Sequence, residues 1–305
     1  MQPPGDDADA RSAALLTQGG LPTQASARLT DLRVRGAFTS DLSVEEFRSV
    51  RSVGFHPVGQ VLGTCVYQLA WTGTAYCGSG GGMWGSSGLV APPQPATPLV
   101  AALYDARRRA LTRMQGEASA LGGDGVVAVR LSFAPFPEVP YAVEFKALGT
   151  AVRADGAVHP ARPFLSHLSG QQFAQLIGAG WVPTGLAMGI AAFVRHDDYR
   201  TRMQSASWSN AEITGYTELV TIVRHDARAA LAADLRQWGG DGVVVSGLGL
   251  QLFEQPCRWG GQEGRDHVAE ASVLGTAIAR FTTAAAPHPP LAVLPVSGTT
   301  GRTRP

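Results

Sequence analysis

The chain carries two copies of one pattern, and any fold it adopts must accommodate that duplication. Leu42-Ser43, Phe47, Gly54, Pro57, Gly59 and Gly63 recur as Leu168-Ser169, Phe173, Gly180, Pro183, Gly185 and Gly189. Gly122-Gly123-Asp124-Gly125-Val126-Val127 returns as Gly239-Gly240-Asp241-Gly242-Val243-Val244, and Leu148-Gly149-Thr150-Ala151 as Leu274-Gly275-Thr276-Ala277. Three matched blocks in one order predict a single fold built twice, each copy the size of a small domain. The predicted units are residues 21–154 and 164–281, joined by a Gly- and Pro-bearing linker at 155–163. Residues 1–20 and the Pro/Thr/Ala-rich tail 282–305 are expected to be disordered.

Each copy opens on a helix-start signal. Ser43-Val44-Glu45-Glu46 fits a capping box, and Ser169-Gly170-Gln171-Gln172 repeats it with Gln in the Glu role. Gly54 and Gly180 stop these short helices. A strand follows, from Val58 to about Trp71 and from Thr184 to about Val194. Its glycines at 59, 63, 185 and 189 mark bends or places where another backbone comes close. Long helices are predicted over Pro98 to Leu121, with a stripe of Leu99, Leu103, Ala106, Ala110 and Met114, and over Glu218 to Trp238. Paired glycines end both, and two alternating strands close each copy. The unit is therefore a short helix followed by β-α-β-β. It belongs to the α+β class, an antiparallel sheet covered by one long helix.

A chain of 305 residues at 45% hydrophobic content can bury two modest cores. A net charge of +1 gives no electrostatic case for nucleic acid or an anionic membrane. Cys65, Cys77 and Cys257 form no CxxC pair, so a disulfide framework is not expected and a reducing cytoplasm is the predicted setting. The polar, acidic start Met1-Gln2-Pro3-Pro4-Gly5-Asp6-Asp7 lacks the pattern of a signal peptide. The longest apolar stretch, Gly185 to Val194, is about half the ~20 residues of a membrane span.

Leu121 to Val127 and Trp238 to Val244, each followed by a strand closing on Leu-Gly-Thr-Ala, resemble the YbjQ-like family, which carries a heavy-metal-binding label. That family's usual helix end has alanines where this chain has Gly123, Gly125, Gly240 and Gly242. The resemblance covers roughly Leu42 to Arg153 and Leu168 to Phe281. It implies dodecin-like units, single-domain members of the family assembling as pentameric rings, and no established reaction or ligand set. Asp124 and Asp241 sit on the motif, where an aspartate is expected to bond the backbone at the helix-to-strand turn.

Zinc or a softer metal takes thiolate or imidazole ligands, typically four converging. No Cys or His is shared by the copies: Cys65 falls opposite Ala191, His56 opposite Val182, His225 opposite Arg108 and His267 opposite Tyr141. The weak local candidates are Cys65 with Cys77, against a core thiol plus a loop thiol, and His196, Asp197 and Asp198, against a solvated charged turn. The run from Gly78 to Gly85 lacks a Gly-Lys-Ser/Thr ending and reads as an insertion tipped by Trp84, open to a partner contact. Glu144 and Glu270 are matched strand carboxylates opposite the apolar stripe, facing solvent, a subunit interface or a shared ring cavity.

The expectation is a non-enzymatic, cytoplasmic protein of two YbjQ-like domains that self-associates and binds a divalent metal or small ligand. Two units per chain predict a monomer with its copies paired, three chains in a six-unit ring, or five chains in stacked rings. The alternatives are a metal-handling protein and a hydrolase using Glu144 or Glu270.

Overall fold

The computed structural model of the chain describes residues 4–36, 39–69, 92–139, 142–259 and 262–281. Two helices come first, α1 (Pro4–Thr17) and α2 (Thr23–Arg35). The first unit follows as α3 (Val44–Ser52), β1 (Phe55–Gln68), the short β2 (Gln94–Pro95), α4 (Thr97–Ala120), β3 (Gly125–Pro135) and β4 (Ala142–Ala154). The short β5 (Phe164–Leu165) then leads into α5 (Gly170–Gly178), β6 (Trp181–His196), α6 (Tyr199–Ser205), α7 (Thr214–Gln237), β7 (Gly242–Trp259) and β8 (Gln262–Arg280). Both short helices are held by the anticipated capping boxes, in which Ser43 and Ser169 each exchange bonds with the residue three on.

The strand order is β1-β4-β3 in one sheet and β6-β8-β7 in the other, all antiparallel. β5 joins the β3 edge in parallel, and β2 joins β6. Register irregularities fall at matching places, Pro57/Gly59 with Pro183/Gly185 and Val127/Arg130 with Val245/Gly247. A bulge shifts which residues face the core, so a shared bulge keeps the two registers alike.

Each long helix lies directly on its own sheet. A Cβ added at Gly63 would stand 1.9 Å from the Ala110 carbonyl oxygen, and one at Gly189 would stand 1.9 Å from that of Ala227. Only glycine admits that approach. The second sheet then stacks its other face on the first unit. Leu186 and Met188 join the cluster of Val61, Leu111, Met114 and Val126, while Ile190 joins Cys65, Leu103 and Phe145. The layers run first sheet, α4, second sheet, α7. Each fully buried aliphatic side chain contributes about 1.5–3 kcal/mol, so this seam belongs to the core.

The amino-terminal segment, the linker and the first strand of each unit take defined positions. Within the segment 1–20, Pro4–Thr17 is helical, and Ser12 bonds Thr23 at the start of α2. Leu29 of α2 is 2% exposed, and Arg28 pairs with Glu117 at 2.6 Å, so tertiary contacts hold a segment of weak local signal. The 155–163 linker is pinned: the Pro163 carbonyl accepts from Gln115 at 2.9 Å, and His159 Nδ1 lies 2.9 Å from Asp124. The first strand of each unit also starts earlier than predicted, at Phe55 and Trp181. The tail from 282, Cys77 and the Gly78 to Gly85 run lie outside the described residues.

Candidate functional site

The seam between the units holds the most deeply buried ion pair that links them. Arg107 of α4 donates to Glu270 Oε1 of β8 at 3.2 Å, with side chains 10% and 5% exposed. Burial pushes the Glu270 carboxyl above the usual carboxylate range, against the pull of Arg107. Burial likewise lowers Arg107, against the pull of Glu270. The guanidinium also lies 5.3 Å from the Phe145 ring centroid. One turn away, the Tyr104 hydroxyl accepts the Ile190 N–H at 2.9 Å, and burial raises its phenol. Glu270 therefore faces neither solvent nor another subunit; the chain's own first unit covers it.

Beside this pair lies a cleft of about 460 Å³, within the range that holds small ligands. Phe133, Phe145, Ser132 and Arg107 line it from the first unit, and Gln251 and Ser272 from the second. Gly247 and Gly249 on β7 leave the room. Its polar groups are hydroxyls, an amide and one guanidinium, which suits a small, partly aromatic molecule better than a cation.

Glu144, the repeat partner of Glu270, is half-buried on the open face of the first sheet and has no ion pair among the described residues. The two glutamates stand on different sheets and do not converge, so they form no acid–base pair.

His196, Asp197 and Asp198 fall in a second polar cluster at the end of β6. They do not form a solvated turn: Asp197 and Asp198 are 8% and 5% exposed. Asp198 caps α6 by accepting the Thr201 N–H at 2.7 Å and pairs with Arg195 at 2.8 Å. Arg195 reaches Glu218 at 2.7 Å as well. Asp197 accepts the Tyr216 O–H at 3.0 Å, His267 Nε2 lies 2.8 Å from that oxygen, and His196 pairs with Asp266 at 2.7 Å. Burial first, and then Asp197, push the Tyr216 phenol far up, so it stays a donor. These groups bond one another.

A heavy metal does not fit the described side chains. Among them no group of three or more His, Cys, Asp or Glu is placed to hold an ion. Cys65 is buried at 4% exposure, its thiol is pushed up by burial, and its charged neighbours include Arg113 and Arg109. Soft metals want thiolates, and burial here favours the thiol.

The motif residues are architectural. Gly122 and Gly239 end the long helices at φ of 74° and 61°. Asp124 accepts the Ala154 N–H at 2.8 Å and Asp241 that of Arg280 at 3.0 Å, so each bond crosses to the closing strand instead of staying within the turn. Thr150 and Thr276 accept the N–H of Asp41 and His167, both at 3.1 Å. Gly149 and Gly275 admit Val126 and Val243, whose methyls would lie 2.6 and 2.5 Å from an added Cβ; Gly123 and Gly240 pack beside Ala151 and Ala277. Sequence reasoning missed Arg107 and Tyr104. The available signal was in β6, where Leu186, Met188, Ile190, Ala192 and Val194 occupy alternate positions on a face predicted to be open.

Fold and seam together define an α+β protein of two helix-covered sheets stacked one on the other. A profile of the YbjQ-like family, described as "Putative heavy-metal-binding", matches residues 97–155. The chain is 32% identical over 272 residues to Encapsulin nanocompartment protein Rv1762c of Mycobacterium tuberculosis, covering 87% of this chain and 94% of that one. The chain belongs to the family of that protein. No solved structure matches it. Among the described residues, no helix is long and apolar enough to cross a membrane.

Proposed function

We propose that this chain is a non-enzymatic, self-associating cytoplasmic protein of two YbjQ-like units that serves as a component of a protein nanocompartment. The observation that carries the reading is the seam: strand β6 of the second sheet is buried on both faces because another unit's helix covers it. A unit that stacks on its own copy within one chain has a surface suited to assembly between chains. The near-full-length relative supplies the setting, since its name places it in an encapsulin nanocompartment. The seam cleft beside Arg107 is the site for a small ligand, and the second unit, which the family profile does not reach, is a diverged copy of the first.

Sedimentation velocity and mass photometry of the purified chain test the reading, with a discrete particle larger than the 31.9 kDa chain as the expected result. Gradient fractionation of a native lysate should place the chain with shell-sized particles. A single 31.9 kDa species at every concentration, absent from such fractions, overturns the proposal. Titration with zinc, copper and nickel separates the metal-handling alternative, which requires thermal stabilisation at fixed stoichiometry.

A further inference from the structure

The Arg107–Glu270 contact has a second, open version in the same chain. The repeat that matches Gly63 with Gly189 and Ala110 with Ala227 also matches Glu144 with Glu270 and Arg107 with Arg224. Arg224 is exposed on α7, and Glu144 is half-buried on the outer face of the first sheet, at the end away from Val127 and Val152, which Val50 of α3 covers. Among the described residues neither has an ion-pair partner. They stand at opposite ends of the layer order and do not meet within one chain. We propose that a second copy of this chain docks head to tail, the outer side of α7 in one copy covering the outer face of the first sheet in the next, so that Arg224 pairs with Glu144 of the next copy. This rests on the reading of the chain as a self-associating protein and names the surface it uses.

The two open ends are complementary in kind. One is a sheet lacking the helix that its counterpart has, and the other is a helix lacking the sheet. Among the described residues the β7 edge at Gly242 and Val243 has no strand neighbour, whereas Gly125 and Val126 at the matching edge hold β5. The contact repeats the charge pairing of the seam.

It is also more polar than the seam. Gln60, Thr64 and Gln68 stand where Leu186, Ile190 and Val194 stand in the covered sheet, and Thr221 and Arg228 stand where α4 has Tyr104 and Leu111. Association between copies is therefore reversible and salt-sensitive. One element of the seam cannot recur. A Cβ added at Gly170 of α5 would lie 2.8 Å from Glu46 Cβ and 2.9 Å from its carbonyl oxygen, and the matching residue in α3 is Val44. The step between copies thus opens on that side relative to the step within a chain. Repetition of such a heterologous contact closes a ring or extends a filament.

Sedimentation velocity of the full chain at about 50 mM and about 500 mM salt, with charge-reversed variants, tests the interface. Arg224→Glu and Glu144→Arg should each weaken association about tenfold or more, with circular dichroism unchanged and the thermal midpoint unchanged at concentrations where the wild type is dissociated. The double swap, E144R with R224E, should restore assembly, and the higher salt should dissociate the wild type. Wild-type assembly by either single variant, or a folded double variant that stays monomeric, overturns the interface while self-association stands. A wild type monomeric at every concentration overturns both.

Discussion

Along β1, from Pro57 to Cys65, buried residues alternate with half-buried ones, whereas along β6 every residue from Gly185 to Arg195 is buried. The two strands pair with the closing strand of their own sheets in the same way, carry their bulge at the same point and meet their own helix through the same glycine. They differ in what lies on the second face, and β6 also takes the short β2 on its edge at Phe193 and Val194. A strand covered on one side reads as period two, and one covered on both sides loses the period. The two units therefore agree on their inner faces and differ on their outer ones.

The sharpest way to break this comparison is to make one change at both copies of a position. Glu270→Ala strands the Arg107 guanidinium in the seam and should cost about 3–5 kcal/mol. Glu144→Ala, its repeat partner, should stay within about 0.5 kcal/mol because its surface is open. Urea unfolding at low protein concentration measures both, and equal losses would mean that the sheets are equivalently covered. Replacing both Arg107 and Glu270 with apolar residues of similar volume should recover most of the loss, as removal of a whole buried pair often does.

The inner faces should behave in the opposite way. Gly63→Val and Gly189→Val each drive a side chain into the backbone of the helix above, with no flexible group able to yield. Each should cost about 3 kcal/mol, and the two losses should be alike. A tolerated valine in one unit alone would show that its helix rides higher on the sheet than the repeat requires.

Local signals were legible in the sequence, and contacts between distant segments were not. Ser43 with Glu46 and Ser169 with Gln172 announce their helices three residues apart, and both capping boxes form. The pair Gly63 and Gly189 marked a close approach that the helices make. The burial of Asp197 depends on Tyr216 and His267, one from a later helix and one from a later strand, so its charge looked solvated from its neighbours. Arg107 looked like one arginine among many until Glu270, 163 residues on, came to lie against it. α1 lacked any strong pattern because Ser12 and Thr23 hold it at the turn.

The smallest effect distinguishes the two units at a matched motif residue. Asp41 and His167 each donate a backbone N–H to the buried threonine of their unit at 3.1 Å, but only His167 adds a ring nitrogen, Nδ1, 2.8 Å from that hydroxyl. Burial lowers the His167 pKa, so the native state holds the imidazole neutral. The unfolded chain protonates it below about 6.5. Because the unfolded state then binds more protons, the contribution of His167 to stability is complete above about pH 6.5 and falls as pH drops through that value toward the depressed native one. His167→Gln keeps an amide beside Thr276 without the titration. The variant should lose less stability than the wild type between about pH 7.5 and 5.5, measured as the shift in urea midpoint. Equal shifts in the two proteins would show that the second unit's threonine, like the first unit's, sits beside no titrating group of consequence.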